Sequence, residues 1–234
     1  REFLDYWMYI FRGHTRANWR LESTLDRLLR SRGALRNRSV RGEHYNRFLL
    51  AARGRRGPNP PYINEENGWW ALGQHNGLAT PLLDWTESPF VALFFAFEEI
   101  RLPATGFRAV WALHVPWVEE MSESLIRRRK RTGRRTKPSI VQVYRPMSDE
   151  NARLVSQRGL FTRGPNGVPL EDWVRQTLKG NKRDTVLIKL QVPNVGRNDC
   201  LRFLNRMNIN HLSLFPDMYG ASRFCNFDLL IDLY

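Results

Sequence analysis

The chain has 234 residues, 37 Lys and Arg against 23 Asp and Glu, a formal net charge of +14, and 42% hydrophobic residues. That length carries a substantial core in one large or two small domains, and the longest apolar run, residues 90–97, falls far short of the roughly 20 residues a membrane-crossing helix needs. Cys200 and Cys225 make neither a disulfide framework nor a metal site, which points to a reducing cytoplasm, and the start at Arg1 without Met or a charged-then-apolar leader suggests a segment from within a longer product.

In chain order, residues 2–11 read as a strand, or as a helix passing into one, that ends in Phe11-Arg12-Gly13. An Arg at a strand end followed by Gly brings a guanidinium and bare backbone to the same ligand, and phosphate matches the planar fork. A surface Arg beside a turn Gly gives the same pair of letters. A helix starts within 23–29 with Ser23 or Thr24 as its cap, a Gly- and Pro-rich loop covers 53–62, and 64–72 looks helical.

The densest stretch is 74–89, QHNGLATPLLDWTESP. A buried strand wants Val, Ile or Leu at successive positions, whereas the strand expected over 80–86 carries Asp84 and Thr86 at its end. Ser88 then suits an N-cap and Pro89 the first helical position, and 90–97 is apolar on all sides, as a buried helix would be. A polar strand end leading into a helix start presents side chains and free N–H groups in one place, which suits an anion. Asp84 and Thr86 equally suit plain capping of nearby backbone.

Asp84 is the stronger catalytic candidate, since a carboxylate near a helix N-terminus and a hydroxyl can accept or orient a proton. His75 can donate to a substrate or tie two segments together, and His211 carries a weaker case. Further along, strands are expected at 109–115 and 140–144, and 154–162 reads as a strand and turn carrying Gln157. A short helix that includes 173–174, a strand at 185–190, a helix at 200–207 and a strand end over 212–216 complete the chain. This mixture without βαβ regularity predicts an α+β fold, one domain over 1–234, with a mixed or antiparallel sheet core and flanking helices.

The charge is clustered. Arg127, Arg128, Arg129, Lys130, Arg131, Arg134, Arg135 and Lys137 predict an exposed loop or mobile arm, since so many like charges cannot pack together. A second basic region spans 27–56. Two such regions with little compensating acid, and Arg in excess of Lys, point to nucleic acid, although each run alone is also what a solvated face looks like. Acidic lipid ranks lower because no amphipathic helix with exposed aromatics adjoins the runs, and an acidic protein such as an antitoxin is a third polyanion.

Phe11-Arg12-Gly13, the block 74–86 with its Ser88-Pro89 helix, then Arg153, Gln157, Gly159 and Phe161, and finally Leu214-Phe215-Pro216-Asp217 resemble the FRG domain, named for its Phe-Arg-Gly motif. These motifs reach both ends of the chain, so the resemblance covers most of it. Ala79-Thr80-Pro81 stands where family members often show Pro-Thr-Arg, which removes a basic side chain at Pro81. A more distant likeness is to the three-motif layout of ADP-ribosyltransferases. It implies an ADP-ribosyltransferase-like fold, NAD as substrate and no metal, with Arg12 gripping the dinucleotide beside Phe11, Gly13, Thr80, Trp85 and Phe161, and Thr86 bracing the nicotinamide ribose. Gln157 then takes the place of the usual third-motif Glu; it hydrogen-bonds a ribose hydroxyl but cannot act as a base.

Three functions stay open. The first is an ADP-ribosyltransferase that modifies nucleic acid, RNA rather than DNA, as a toxin or phage-defence effector, using Asp84, Thr86, Gln157 and His75. The second is an NAD glycohydrolase with water as acceptor, and the third a non-catalytic nucleic-acid-binding module. A nuclease is disfavoured because no carboxylate cluster would hold paired metals.

Overall fold

A computed structural model describes residues 2–57, 59–133, 136–146, 152–178 and 185–234. After a 3-10 segment, Glu2–Met8, come β1 (Tyr9–His14), α1 (Thr24–Ser31), α2 (Arg38–Ala51), α3 (Glu66–His75), β2 (Leu82–Thr86), α4 (Pro89–Phe97), β3 (Phe107–His114) and α5 (Val115–Thr132). The chain continues with β4 (Gln142–Tyr144), α6 (Ala152–Ser156), β5 (Gly159–Arg163), α7 (Leu170–Thr177), β6 (Leu187–Pro193), α8 (Arg197–Arg206), α9 (His211–Leu214) and α10 (Met218–Leu230). The strands form a six-stranded sheet in the order β4-β5-β2-β1-β3-β6. Every pairing is antiparallel, so the chain is α+β as expected and the mixed-sheet alternative drops out. No helix among the described residues is long and apolar enough to cross a membrane.

Side-chain alternation along the strands sends apolar residues to both faces. Ile10, Trp111, Leu113, Leu83, Trp85 and Leu160 pack on one face with Trp117 and Val118 of α5 and Trp173 of α7. Phe11, Val110 and Ala112 face the other way, against Phe94, Ala96 and Phe97 of α4, Leu201 of α8 and Phe227 of α10. Leu82 and Phe161 join a third cluster with Leu25, Leu29 and Trp70.

Helix α4 is capped as its letters suggest: the Ser88 hydroxyl accepts from Val91 N–H and Pro89 occupies the first turn. Its far end is held by two arginines from outside the helix. Arg108, fully buried, donates to the carbonyls of Ala96 (2.6 Å) and Glu99 (2.7 Å), and Arg197 to those of Phe97 (2.8 Å) and Glu98 (2.9 Å). They satisfy carbonyls left open at a helix C-terminus, where cations are also favoured by the helix dipole. Burial first, then the nearby Arg197, pulls Arg108 down to about 10.

Several expectations need correction. Residues 127–132 are not a loop: they are the last turns of α5, which ends at Gly133 with φ of 62°. The helix tolerates the charge because Glu123 pairs with Arg127 four residues on and because cations suit a helix C-terminus. Arg127, Arg128, Lys130, Arg131 and Lys137 are exposed and Arg129 half-buried, while Arg134 and Arg135 lie outside the described residues. The 154–162 segment splits into α6, a turn with Gln157, and β5. The expected strand end over 212–216 is instead the short helix α9, because Asn210 and Ser213 close a capping box.

Gly13 meets α4 at close range. A Cβ there would lie 2.0 Å from the Ala92 carbonyl oxygen and 2.6 Å from the Ala96 nitrogen, both backbone atoms that cannot swing aside. Gly13→Ala is therefore expected to destabilise the fold by about 3 kcal/mol or more. Urea unfolding checks this; an alanine variant as stable as the parent would show that β1 and α4 separate freely.

Candidate functional site

β1 pairs with β3 at every residue from Tyr9 to His14, but with β2 only at Phe11 opposite Thr86. β2 instead follows β5 along its whole length. The sheet therefore parts between its two central strands beyond Phe11, and Arg12 bridges the gap: its Nη1 donates to the Asp84 carbonyl oxygen at 2.6 Å and lies 3.4 Å from the Asp84 carboxylate. A cavity of about 310 Å³ opens at this split, lined by Phe11, Arg12, Gly13, Asp84, Trp85, Thr86, Phe95, Glu98, Gln157 and Phe215.

Seven of the residues expected at a site thus share one cavity: Phe11, Arg12, Gly13, Asp84, Trp85, Thr86 and Gln157. Others do not line it. Thr80 is fully buried; its hydroxyl bonds the Gln74 amide oxygen and accepts from Leu82 N–H, so it fixes the turn before β2. Phe161 is a core residue stacked on Tyr144. His75 sits exposed at the end of α3, its pKa lowered by partial burial of the ring and then by Arg153, with Asp217 opposing. The N-terminal turn of α4 likewise does not line it, whereas Phe95 and Glu98, from the other end, do.

Within the cavity some polar groups are already spent. The Thr86 hydroxyl donates to the Gln157 carbonyl (2.7 Å) and accepts from Ser88 N–H (3.1 Å), the Gln157 amide donates to the Leu214 carbonyl (3.0 Å), and Trp85 Nε1 donates to Thr162 (2.9 Å). These bonds lock the ends of β2, β5 and α9 together. The carboxylates remain available. Asp84 is 60% exposed and held by the Gln74 amide at 2.5 Å, and Glu98 is 28% exposed with Oε2 3.5 Å from His211 Nε2. Arg12 is 18% exposed, and its pKa is lowered by burial while the Asp84 charge raises it.

Sequence reasoning missed Glu98, Phe95 and His14. Glu98 is hidden because it caps an otherwise apolar helix and reads as ordinary surface. His14 could have been flagged from strand alternation, which places it on the same face as Arg12. Its Nε2 accepts from Arg12 Nε at 3.1 Å, and Trp111 Nε1 lies 3.3 Å from its Nδ1. A neutral ring has one bare nitrogen, so the shorter, charge-assisted bond from Arg12 takes it. Arg153 braces the rim: it pairs with Asp217 (2.5 Å) and lies 5.4 Å over the rings of Phe215 and Tyr219. Among the described residues no group of three or more His, Cys, Asp or Glu is placed to hold a metal ion.

Residues 8–104, which run from the end of the 3-10 segment through β1 to α4 and the loop beyond, match the FRG domain. The match covers less than half of the chain, and the motifs from Arg153 onward lie outside it. No curated protein and no solved structure matches the chain.

Burial, and then the Arg12 charge, push the His14 pKa down from 6.5 to about 3. Above 6.5 the ring is neutral in both states and adds no pH dependence. Between 6.5 and about 3 the unfolded chain takes up a proton that the folded chain refuses, so stability falls with pH by at most about 1.36 kcal/mol per unit, and the loss levels off below about 3. His14→Gln should show a shallower fall over that window in urea unfolding at stepped pH. An unchanged slope would mean that His14 protonates freely in the folded protein.

Proposed function

We propose that this FRG-domain chain consumes NAD at the split between β1 and β2 and passes the ADP-ribosyl group to nucleic acid, RNA in preference to DNA. The observation that carries the reading is the meeting, in one cavity, of a cation from within β1 (Arg12), two reachable carboxylates (Asp84 and Glu98) and the half-buried aromatic residues Phe95 and Phe215. At about 310 Å³ the space is at the small end for sites that enclose an organic ligand, enough for a ring and its ribose with the phosphates at the rim. Aromatic faces attract a planar cation such as nicotinamide in NAD. Arg12 keeps Nη2 for a phosphate oxygen after committing Nε to His14 and Nη1 to Asp84.

In the reaction the bond from the ribose anomeric carbon to the nicotinamide nitrogen breaks, and nicotinamide leaves with the electron pair. Positive charge develops on the ribose, which a nearby carboxylate stabilises. An acceptor oxygen or nitrogen bonds the same carbon and gives up its proton to a carboxylate or to water. Glu98 takes the part of a base, which the Gln157 amide cannot, and the Gln157 NH2 is in any case spent on Leu214. Thr86 and Gln157 keep a bracing role, and His75 drops out of the chemistry. The exposed cations at the end of α5 collect the acceptor's phosphates. A toxin or phage-defence effector restrained by an acidic antitoxin suits an enzyme with this charge and chemistry.

Labelled NAD incubated with RNA, DNA or no acceptor is expected to leave label on RNA. Label released only as free ADP-ribose would make water the acceptor, and intact NAD in every tube would overturn the reading. Asp84→Asn and Glu98→Gln should each cut kcat by about tenfold or more, roughly 1.4 kcal/mol of barrier, with ADP-ribose affinity by calorimetry little changed. Arg12→Gln should lose that affinity while remaining folded.

The helix end has its own test. Changing Arg127, Arg128 and Arg131 to Gln should weaken RNA binding and flatten the log–log salt dependence by about 2 units, as expected for three lost phosphate contacts to a single strand. Unaltered affinity and slope would move the RNA track to the 27–56 region.

A further inference from the structure

His211 is fully buried, and within the described residues neither ring nitrogen has a hydrogen-bond partner. Phe94, Phe215 and Phe227 box the ring, with centroids 5.0, 5.8 and 4.4 Å away. A phenyl ring would fill such a box without leaving polar nitrogens dry, which costs stability. What imidazole adds is Nε2, 3.5 Å from Glu98 Oε2. That spacing is too long for a good hydrogen bond, and Glu98, which follows the last residue of α4, is 28% exposed. Catalytic hydrogen bonds are often long before a ligand arrives and tighten afterwards.

We infer that His211 is the positioning residue of Glu98: Nε2–H holds one carboxylate oxygen and turns the other toward the ligand in the cavity. The ring cannot follow the carboxylate. α9 is pinned by its capping box at Asn210, by Gln157 on the Leu214 carbonyl, and by α10, where a Cβ on Gly220 would lie 2.6 Å from the His211 carbonyl oxygen. A fixed donor behind a movable carboxylate selects one rotamer, which is how a supporting residue sharpens a reacting group.

The inference rests on the NAD reading for its kinetics but not for its geometry, so the test has two arms on the full chain. In the first, ¹⁵N ring resonances of His211 are recorded in the parent and in Glu98→Gln. The parent should show the Nε2–H tautomer, and its resonance should move in the variant. In the second, NAD turnover is measured for His211→Phe, which keeps the aromatic box, and for His211→Gln, whose amide reaches the place of Nε2. With melting temperatures near the parent's, Phe should lower kcat about tenfold with KM within about twofold, and Gln should recover most of the loss. An Nδ1–H ring indifferent to Glu98→Gln, or parental kcat in a folded His211→Phe, overturns the inference. Should the parent not turn NAD over, the NAD reading falls and the ring resonances alone decide the dyad.

Discussion

With no side chain at Gly13, α4 lies so close to β1 that an added carbon would overlap the backbone of Ala92. That approach sets the position of everything above the sheet. Phe11 and Gly13 share the face that α4 covers, so the helix axis is fixed over the place where β1 leaves β2. Arg108 and Arg197 then bind carbonyls at its last turn. Gripped at both ends, α4 has no freedom to slide, and Phe95 and Glu98 hang over the split as a consequence.

The split itself is a sheet defect stabilised by a side chain. Two central strands that part leave main-chain groups without a strand partner. Arg12 donates to the Asp84 carbonyl, which supplies one and places a cation inside the opening. Arg12 is therefore structural and available to a ligand at once. The same economy governs Thr86 and Gln157, whose polar atoms close the neighbouring loops. A site built this way holds its reactive groups on a rigid frame, and the carboxylates of Asp84 and Glu98, less committed than their neighbours, are the groups that can respond to what enters.

Local chemistry was legible in the sequence, and long-range contact was not. Ser88-Pro89 announced α4, and the polar end of β2 announced the cavity, because caps and strand ends depend on residues a few positions apart. Arg12 and Asp84 were legible as site residues, yet their mutual bond, across 72 positions, was not. Glu98 escaped notice because only the packing of α4 brings it to the cavity, and His211 because its neighbours Phe94 and Phe227 come from two other helices. α2 was invisible for a different reason: it carries no apolar stripe of helical period and has Gly42 within it, so its helix is called up by packing and by its Asn37 cap. Thr80 and Phe161 were misplaced because a residue beside a motif can serve the core instead.

The basic surface follows from the same distinction between charges that are spent and charges that are free. Part of the 27–56 region is consumed internally, since Arg41 makes a buried pair with Asp26 and Arg30 pairs with Glu22. At the end of α5 Arg127 is paired too, with Glu123 on the same helix, but at the surface. Arg127, Arg128 and Arg131 are exposed at spacings of three and four, which stacks two pairs along one side of a helix rather than scattering them on a floppy arm. Ordered cations lose less conformational entropy when they meet phosphate than an arm that must first be fixed. The repulsion among them, partly offset by the helix C-terminus and by Glu123, is relieved when a polyanion arrives. None of the described residues of this helix end lines the cavity, so the exposed cations and the cavity occupy two different parts of the molecule.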